Sequence, residues 1–329
     1  MEKMERVLVT GANGLLGTNL VLCLLEQNYS VKAFVRNPDN FIPYSHPALD
    51  LVAGDISDIS TLEPHLKECD FVIHAAAYTA QNALKLSEYH STNFVGTRNI
   101  ITLCKRYGIK RLVNIGTANN IGYGTQSNPG NENSPMRFPH TRSLYALSKL
   151  KAQQLIDEAG KSLDVVTVSP TFMLGAYDSK PSSGKILLMT LGRKVIFCPP
   201  GGKNFVHVKD VALGTINALR NGERGENYLL SNENLTYKQF FKKVALVTHS
   251  EAYYIVLPRF IFYPMGWFGE LLRKMGIKTD LTSANMEILT IKTFYSNQKA
   301  RKLGVSFTNV DAAITDAVNW FRKTKKISL

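Results

Sequence analysis

The stretch Arg6-Val7-Leu8-Val9-Thr10-Gly11-Ala12-Asn13-Gly14-Leu15-Leu16-Gly17 decides the fold. Val7-Leu8-Val9 reads as a buried strand and Leu15–Gln27 as an apolar helix. Gly11 permits the tight turn between them, Gly14 lets backbone approach a pyrophosphate, and Gly17 lets the helix pack on the sheet. The helix N-terminus then offers free N–H groups and partial positive charge to phosphates. The spacing is GxxGxxG, not the commoner GxGxxG. Isolated glycines serve ordinary turns, but strand, turn and helix in register point to a dinucleotide site.

Outward from this turn, β-rich runs alternate with helical patterns. Val31–Val35, Leu49–Val52, Phe71-Val72-Ile73, Leu112–Ile115 and Val165–Val168 read as strands. A helix is expected over Thr92–Tyr107, stopped by Gly108. This alternation predicts an α/β fold with a Rossmann-type, doubly wound parallel sheet. After Pro170 the pattern loosens, and Leu174–Pro200 reads as loops around a pocket. Thr236-Tyr237-Lys238-Gln239 fits a capping box, and Asp311–Lys323 a final amphipathic helix. The expected organisation is a dinucleotide-binding domain over 1–170, with returning segments near 205–232. A smaller, mostly C-terminal substrate lobe is expected from 171–204 and 233–329.

Composition narrows the function classes. The chain has 329 residues, 44% hydrophobic and 20% charged, in the range of globular proteins. Its formal charge of +13 could draw nucleic acid, anionic lipid or phosphorylated ligands. The basic residues are scattered, however. The densest run, Arg322-Lys323-Thr324-Lys325-Lys326, reads as a solvated tail, and no nucleic-acid partner is expected. Cys23, Cys69, Cys104 and Cys198 form no CxxC pair, so free thiols are expected and neither disulfides nor a metal site. With the first strand beginning at Arg6, no secretory signal is read and a cytoplasmic location is expected. Tyr253–Leu272 is the most apolar later stretch. Pro258, Arg259, Pro264 and Glu270 interrupt it, so a buried or pocket-covering helix is expected, not an integral span. Contact with a membrane surface is the lesser alternative.

The end of the second strand bears on which dinucleotide is used. An Asp or Glu there holds the ribose of NAD. The text is Phe34-Val35-Arg36-Asn37, with no acid at the strand end. Arg36 could pair with a 2′-phosphate, which favours NADP(H) over NAD(H); an ordinary surface arginine is the alternative. Asp55 is placed to accept from an adenine amino group, or else serves the turn with Gly54. Tyr145-Ala146-Leu147-Ser148-Lys149 puts a phenol and an ammonium on one helix face. The ammonium is expected to lower the phenol's pKa and allow proton transfer to or from a substrate oxygen. Thr117, after the fifth strand, could hydrogen-bond the same oxygen, or simply end the strand.

These motifs together resemble the extended short-chain dehydrogenase/reductases of the NAD-dependent epimerase/dehydratase superfamily. The resemblance spans nearly the whole chain. It rests on Thr10–Gly17, Gly54-Asp55, His74-Ala75-Ala76-Ala77, Asn93 with Gly96-Thr97, Tyr145 and Lys149, Ser169-Pro170-Thr171, and Phe205–Ala212. It implies Tyr145 as general acid/base, Lys149 on the nicotinamide ribose, and Thr117 polarising the substrate oxygen. It implies backbone from Ala75, Ala76 and Ala77 lining the crevice, and Pro170 approaching the nicotinamide. Asn13, Leu15, Leu16, Ile56 and Asn93 join Gly11, Gly14, Gly17, Arg36 and Asp55 as implied cofactor-binding residues. Asp210 is expected to support packing, and His74 to be a satisfied strand residue. A homodimer is the default assembly. Two departures stand out: Gly116-Thr117 replaces the Ser-Ser of many relatives, and Ala118-Asn119 follows where dehydratases carry Asp-Glu.

The pattern is closest to the dihydroflavonol reductase and aldehyde reductase branch, which implies NADPH-dependent reduction of a ketone or aldehyde in a small-molecule substrate. A nucleotide-sugar epimerase is the alternative, with Lys180, Lys185 and Arg193 available to phosphates. A non-catalytic dinucleotide-sensing protein is a second alternative, weakened by the intact Tyr145/Lys149 pair. Phe172, Met173, Tyr177 and the Phe260–Leu271 stretch suggest a partly apolar pocket.

Overall fold

The computed structural model describes residues 4–179 and 181–324. Lys180, Lys325 and Lys326, singled out above, lie outside the described residues. In the first half, strands β1 (Arg6–Thr10), β2 (Ser30–Val35), β3 (Leu49–Ala53), β4 (Phe71–His74), β5 (Arg111–Ile115) and β6 (Val165–Pro170) alternate with helices. These are α1 (Leu15–Glu26), α2 (Ile59–Leu66), α3 (Thr97–Arg106) and α4 (Leu144–Ala159). The second half adds β7 (Phe172–Leu174), α5 (Lys185–Leu188), β8 (Val195–Cys198), β9 (Gly202–His207), α6 (Val208–Asn221), β10 (Asn227–Leu230), β11 (Glu233–Thr236) and α7 (Tyr237–Thr248). It closes with β12 (Tyr253–Val256), α8 (Phe262–Lys274), α9 (Ser283–Thr290), β13 (Lys292–Thr293), α10 (Gln298–Arg301) and α11 (Val310–Lys323).

Seven parallel strands form the main sheet in the order β10-β6-β5-β4-β1-β2-β3. Both faces are covered, which is why its central strands are apolar runs without alternation. α1 and α6 close one face through Leu20, Leu24, Val211 and Ile216. α2, α3 and α4 close the other through Leu62, Ile100, Leu103 and Ile156. The chain direction across the sheet reverses between β1 and β4, and ligands bind at such a point, outside the carboxyl ends of the strands.

A second core lies beyond the sheet. Phe205 of β9 stacks on Phe240 of α7 at 4.1 Å, and α11 packs there through Ile314 and Phe321. β9 pairs with β11, β13 and β7. The capping box is present: Thr236 Oγ1 accepts from the Gln239 N–H at 3.2 Å, and Gln239 Oε1 accepts from the Thr236 N–H at 2.9 Å.

Three local expectations differ. The helix over 92–107 is a π-helical turn, His90–Gly96, followed by α3. A wider turn suits Asn93, whose side chain reaches to Tyr78 and Ser148. The segment 174–200 is not only loop, because α5 and β8 lie in it. Tyr253–Leu272 is neither one helix nor buried. Its first residues pair with β8 as β12, and Pro258 breaks the chain before α8. Only Phe262, Gly266 and Gly269 of α8 are buried.

The Asp210 carboxylate, 4% exposed, accepts from the Thr308 N–H at 2.8 Å and its hydroxyl at 2.9 Å. It ties α6 to the segment entering α11. Asp210→Ala orphans both donors and should lower unfolding stability by about 1–3 kcal/mol, read as a drop in the urea midpoint.

Candidate active site

The crevice opens where β1 and β4 end. Gly11 has φ of +66° and donates its N–H to the Phe34 carbonyl at 3.1 Å. A Cβ at Gly11 would come 2.7 Å from the Ala76 Cα, so backbone meets backbone there. A Cβ at Gly17 would come 2.1 Å from the Gly11 carbonyl oxygen. Gly17 therefore packs α1 on the turn itself rather than on the sheet. Gly14 caps α1 with no side-chain cap bond and no acid in the first turn. The Leu15 and Leu16 end of the helix, with half-buried Asn13 beside it, forms a cradle of backbone with no competing anion, which fits a diphosphate.

The other cofactor residues ring this cradle unevenly. Arg36 is exposed directly after β2, with no ion pair among the described residues. Asp55 serves its turn: Oδ1 accepts from the Ser57 N–H and hydroxyl, both at 2.8 Å. Ile56 is a core residue packed against Gly96, and its carbonyl accepts from Asn99 at 3.0 Å. Ala75, Ala76 and Ala77 follow β4 half-buried, and Pro170 ends β6. Asn93 is buried, and its amide is spent within the protein. It accepts from the Tyr78 N–H at 2.7 Å and donates to the Tyr78 carbonyl at 3.1 Å and Ser148 Oγ at 2.9 Å. His74 is fully satisfied between Thr10 and Thr97, at 2.9 and 3.0 Å.

Thr117, Tyr145 and Lys149 come together. Ser143 caps α4 by accepting from the Ala146 N–H at 3.3 Å, which sets the helix that carries Tyr145 and Lys149. The Thr117 hydroxyl is near enough to the Tyr145 phenol to favour its ionised form. Lys149 is buried, and its ammonium donates to the Ile115 carbonyl at 2.7 Å. The expected lowering of the phenol's pKa is not seen. Burial raises Tyr145 above its ordinary value, opposed only by the neighbouring Thr117 hydroxyl. The reason is the aim of Lys149 toward the end of β5. Burial pushes its own pKa down to about 8.

Gly116 has a local cause. A Cβ there would lie 2.7 Å from Ser169 Oγ. The hydroxyl missing from the fifth strand's end is replaced, in space, by one from β6.

Sequence reasoning missed a polar cluster near the start of α4. His140 is 2% exposed, and neither ring nitrogen has a hydrogen-bond partner among the described residues. Burial and the Lys203 charge push its pKa down to about 4. Lys203 lies over the Phe172 ring at 5.3 Å, and burial lowers it to about 8. Tyr123 meets His140 edge-on at 6.0 Å. A lysine inside the largely buried β9 was the available signal. Of the other pocket expectations, Tyr177 turns away to Trp320 at 4.8 Å, and Met173 packs on the main core. Lys185 and Arg193 are exposed. Phe262, Tyr263 and Gly266 do line a cavity of about 190 Å³, shared with Phe138 and Arg142.

Two buried neutral histidines set an acid limit. Burial takes His74 down to about 3 and His140 to about 4, from 6.5. The unfolded chain binds these protons first, so stability is full above pH 6.5 and is lost as pH falls toward 4. Each histidine contributes a slope of up to about 1.4 kcal/mol per pH unit. Urea midpoints should fall between pH 6.5 and 4, and less steeply in His140→Asn.

Comparisons with known proteins agree with this geometry. The model of the NAD dependent epimerase/dehydratase family matches residues 7–231. The chain is 29% identical to the "Putative dihydroflavonol 4-reductase" of Synechocystis sp., covering 95% of this chain and 94% of that one. It is 28% identical to "Sterol demethylase protein B" of Methylococcus capsulatus, covering 96% and 98%. The crystal structure of gox2253 superimposes with a TM-score of 0.85 at 28% identity, over 98% of this chain and all of that one. With the glycine turn, the seven-stranded parallel sheet and the Tyr145/Lys149 helix in place, the chain belongs to the NAD-dependent epimerase/dehydratase family and is an NAD(P)-dependent oxidoreductase of the extended short-chain dehydrogenase type.

Proposed function

We propose that this protein reduces a ketone or aldehyde of a small, partly apolar substrate with NADPH. The observation that carries the reading is the meeting of the Thr117 hydroxyl and the Tyr145 phenol beside the buried, anchored Lys149. A dinucleotide held in the crevice would supply the hydride for the carbonyl carbon. Tyr145 donates its proton to the carbonyl oxygen, and its raised pKa keeps that proton in place at neutral pH. Thr117 holds the same oxygen. Lys149 would meet the nicotinamide ribose, and its bond to the Ile115 carbonyl fixes α4 to β5. The similarity to the putative dihydroflavonol 4-reductase over nearly its whole length supports reduction. We further propose that residues 1–170, with segments returning near 205–232, carry the dinucleotide, and that 171–204 and 233–329 mainly hold the substrate.

Gly11, Asn13, Gly14 and the Leu15–Leu16 backbone would hold the diphosphate, and Ala75–Ala77 and Pro170 the nicotinamide end. Arg36, exposed where an acid would select NAD, supports NADP(H). Asp55 and Ile56 would offer the adenine only what their turn leaves free. Asn93 supports the site by clamping the loop after β4 to α4.

The test is dinucleotide consumption with a panel of aldehydes, ketones and hydroxysteroids. Tyr145→Phe should cut kcat by about 10²–10⁴-fold without loss of dinucleotide binding. Turnover with none of the panel would overturn the reading, and tightly retained NAD(H) would favour an epimerase. Arg36→Ala should raise KM for NADPH about tenfold or more and leave KM for NADH nearly unchanged. The reverse reaction, alcohol oxidation, needs Tyr145 ionised. Because burial raises this phenol, the oxidation rate should still be climbing at pH 10. A plateau near neutrality would contradict the assignment.

A further inference from the structure

The exposed side of α8 is apolar. Tyr263, Trp267, Phe268 and Leu271 are 50%, 71%, 51% and 44% exposed, with Phe260 before them at 68% and Met275 after them at 69%. At 100° per residue these side chains share about 140° of the helix circumference. The opposite arc, Phe262, Gly266 and Gly269, packs on α9 and the chain entering it. A Cβ at Gly269 would lie 1.7 Å from the Leu281 carbonyl oxygen. The helix therefore shows water the kind of face that a surface helix normally buries.

The β8–β12 ribbon repeats the arrangement. Val195 pairs with Tyr253 and Phe197 with Ile255. All four are exposed, while Ile196 and Cys198 between them turn inward. β12 runs through Leu257 and Pro258 directly to the 3-10 turn that starts α8, so the two apolar surfaces are continuous in the chain. Such a patch on a globular protein marks a contact site.

Charge identifies the partner. Segments 185–198 and 253–278 contain Lys185, Arg193, Lys194, Arg259, Arg273, Lys274 and Lys278 against one acid, Glu270. Arg259 and Lys278 pair with Glu287 and Glu88, and Arg273 reaches Glu270 and two carbonyls. Lys185, Arg193, Lys194 and Lys274 have no ion pair among the described residues. A second copy of the chain would bring the same cations face to face, which self-pairing across a two-fold axis disfavours. An anionic surface that also accepts aromatic side chains answers both features. Trp and Tyr favour the boundary between headgroups and acyl chains, and Lys and Arg the phosphates beside it.

We propose that this face docks on an anionic phospholipid bilayer, with α8 lying in the plane of the interface. No helix among the described residues is long and apolar enough to cross a membrane, so the contact is peripheral. The docked helix also walls the 190 Å³ cavity, whose other wall, Phe138 and Arg142, leads into the cap of α4. An apolar molecule dissolved in the bilayer would thus meet the protein at this cavity, beside the segment that enters α4. The docking itself does not depend on the reductase reading.

The experiment is flotation of the full chain with phosphatidylcholine vesicles, with and without phosphatidylglycerol, in the absence of substrate. The protein should float with the anionic vesicles, much less with the neutral ones, and less as salt rises. A blue shift of tryptophan emission should accompany binding and be absent in Trp267→Phe. The double variant Trp267→Glu, Phe268→Glu should keep its urea midpoint and lose vesicle partitioning by about tenfold or more. No flotation with either vesicle overturns the proposal. So does equal flotation of the double variant, or a lipid-independent dimer that shields Trp267.

Discussion

A buried imidazole between two threonine hydroxyls holds the crevice in shape. His74 Nδ1 meets Thr10 Oγ1 at 2.9 Å, between the paired ends of β4 and β1 where the strand order reverses, and Nε2 meets Thr97 Oγ1 at 3.0 Å. Thr10 Oγ1 also accepts from the Ala76 N–H at 3.2 Å, which seats Ala76 over Gly11. Thr97 donates to the Asn93 carbonyl, and Asn93 clamps Tyr78 and Ser148. Ser148 lies between Tyr145 and Lys149 on α4. One hydrogen-bonded chain therefore runs from the glycine turn to the helix that carries the chemistry. Inside the protein each link is costly to leave unmade, which makes the relative placement of the two sites stiff.

The parts of the fold legible in the sequence were those with local causes. Six strands were readable as short apolar runs bounded by turn residues, and Gly14 and Gly17 each met a requirement set within a few residues, as did the positive φ of Gly11. The capping box at Thr236 is equally local. The second sheet was not legible, because β7, β11 and β13 are two to four residues long and exist only by pairing with β9. The break at Tyr253–Leu272 also depended on a distant partner, β8.

The site was legible in its residue types more than in its electrostatics. An i, i+4 spacing puts Tyr145 and Lys149 on one face but does not say where a flexible four-carbon chain ends. Here it ends at the Ile115 carbonyl, and desolvation then dominates both groups. Asn93 was legible as important, but its amide turned out to be structural. His140 and Lys203 were invisible because they approach each other only through tertiary packing.

Gly116 and Ser169 form a coupled pair. Their separation leaves room for one hydroxyl, contributed by either strand end but not by both. A serine at 116 would strand two oxygens in the volume of one, while removing Ser169 alone would leave that volume empty. The double exchange conserves what each single exchange destroys, so the two positions behave as one unit under substitution. A chain moving between the Gly-Thr and Ser-Ser forms of this segment must cross a less stable intermediate, and its route is set by the neighbouring strand rather than by the chemistry at Tyr145.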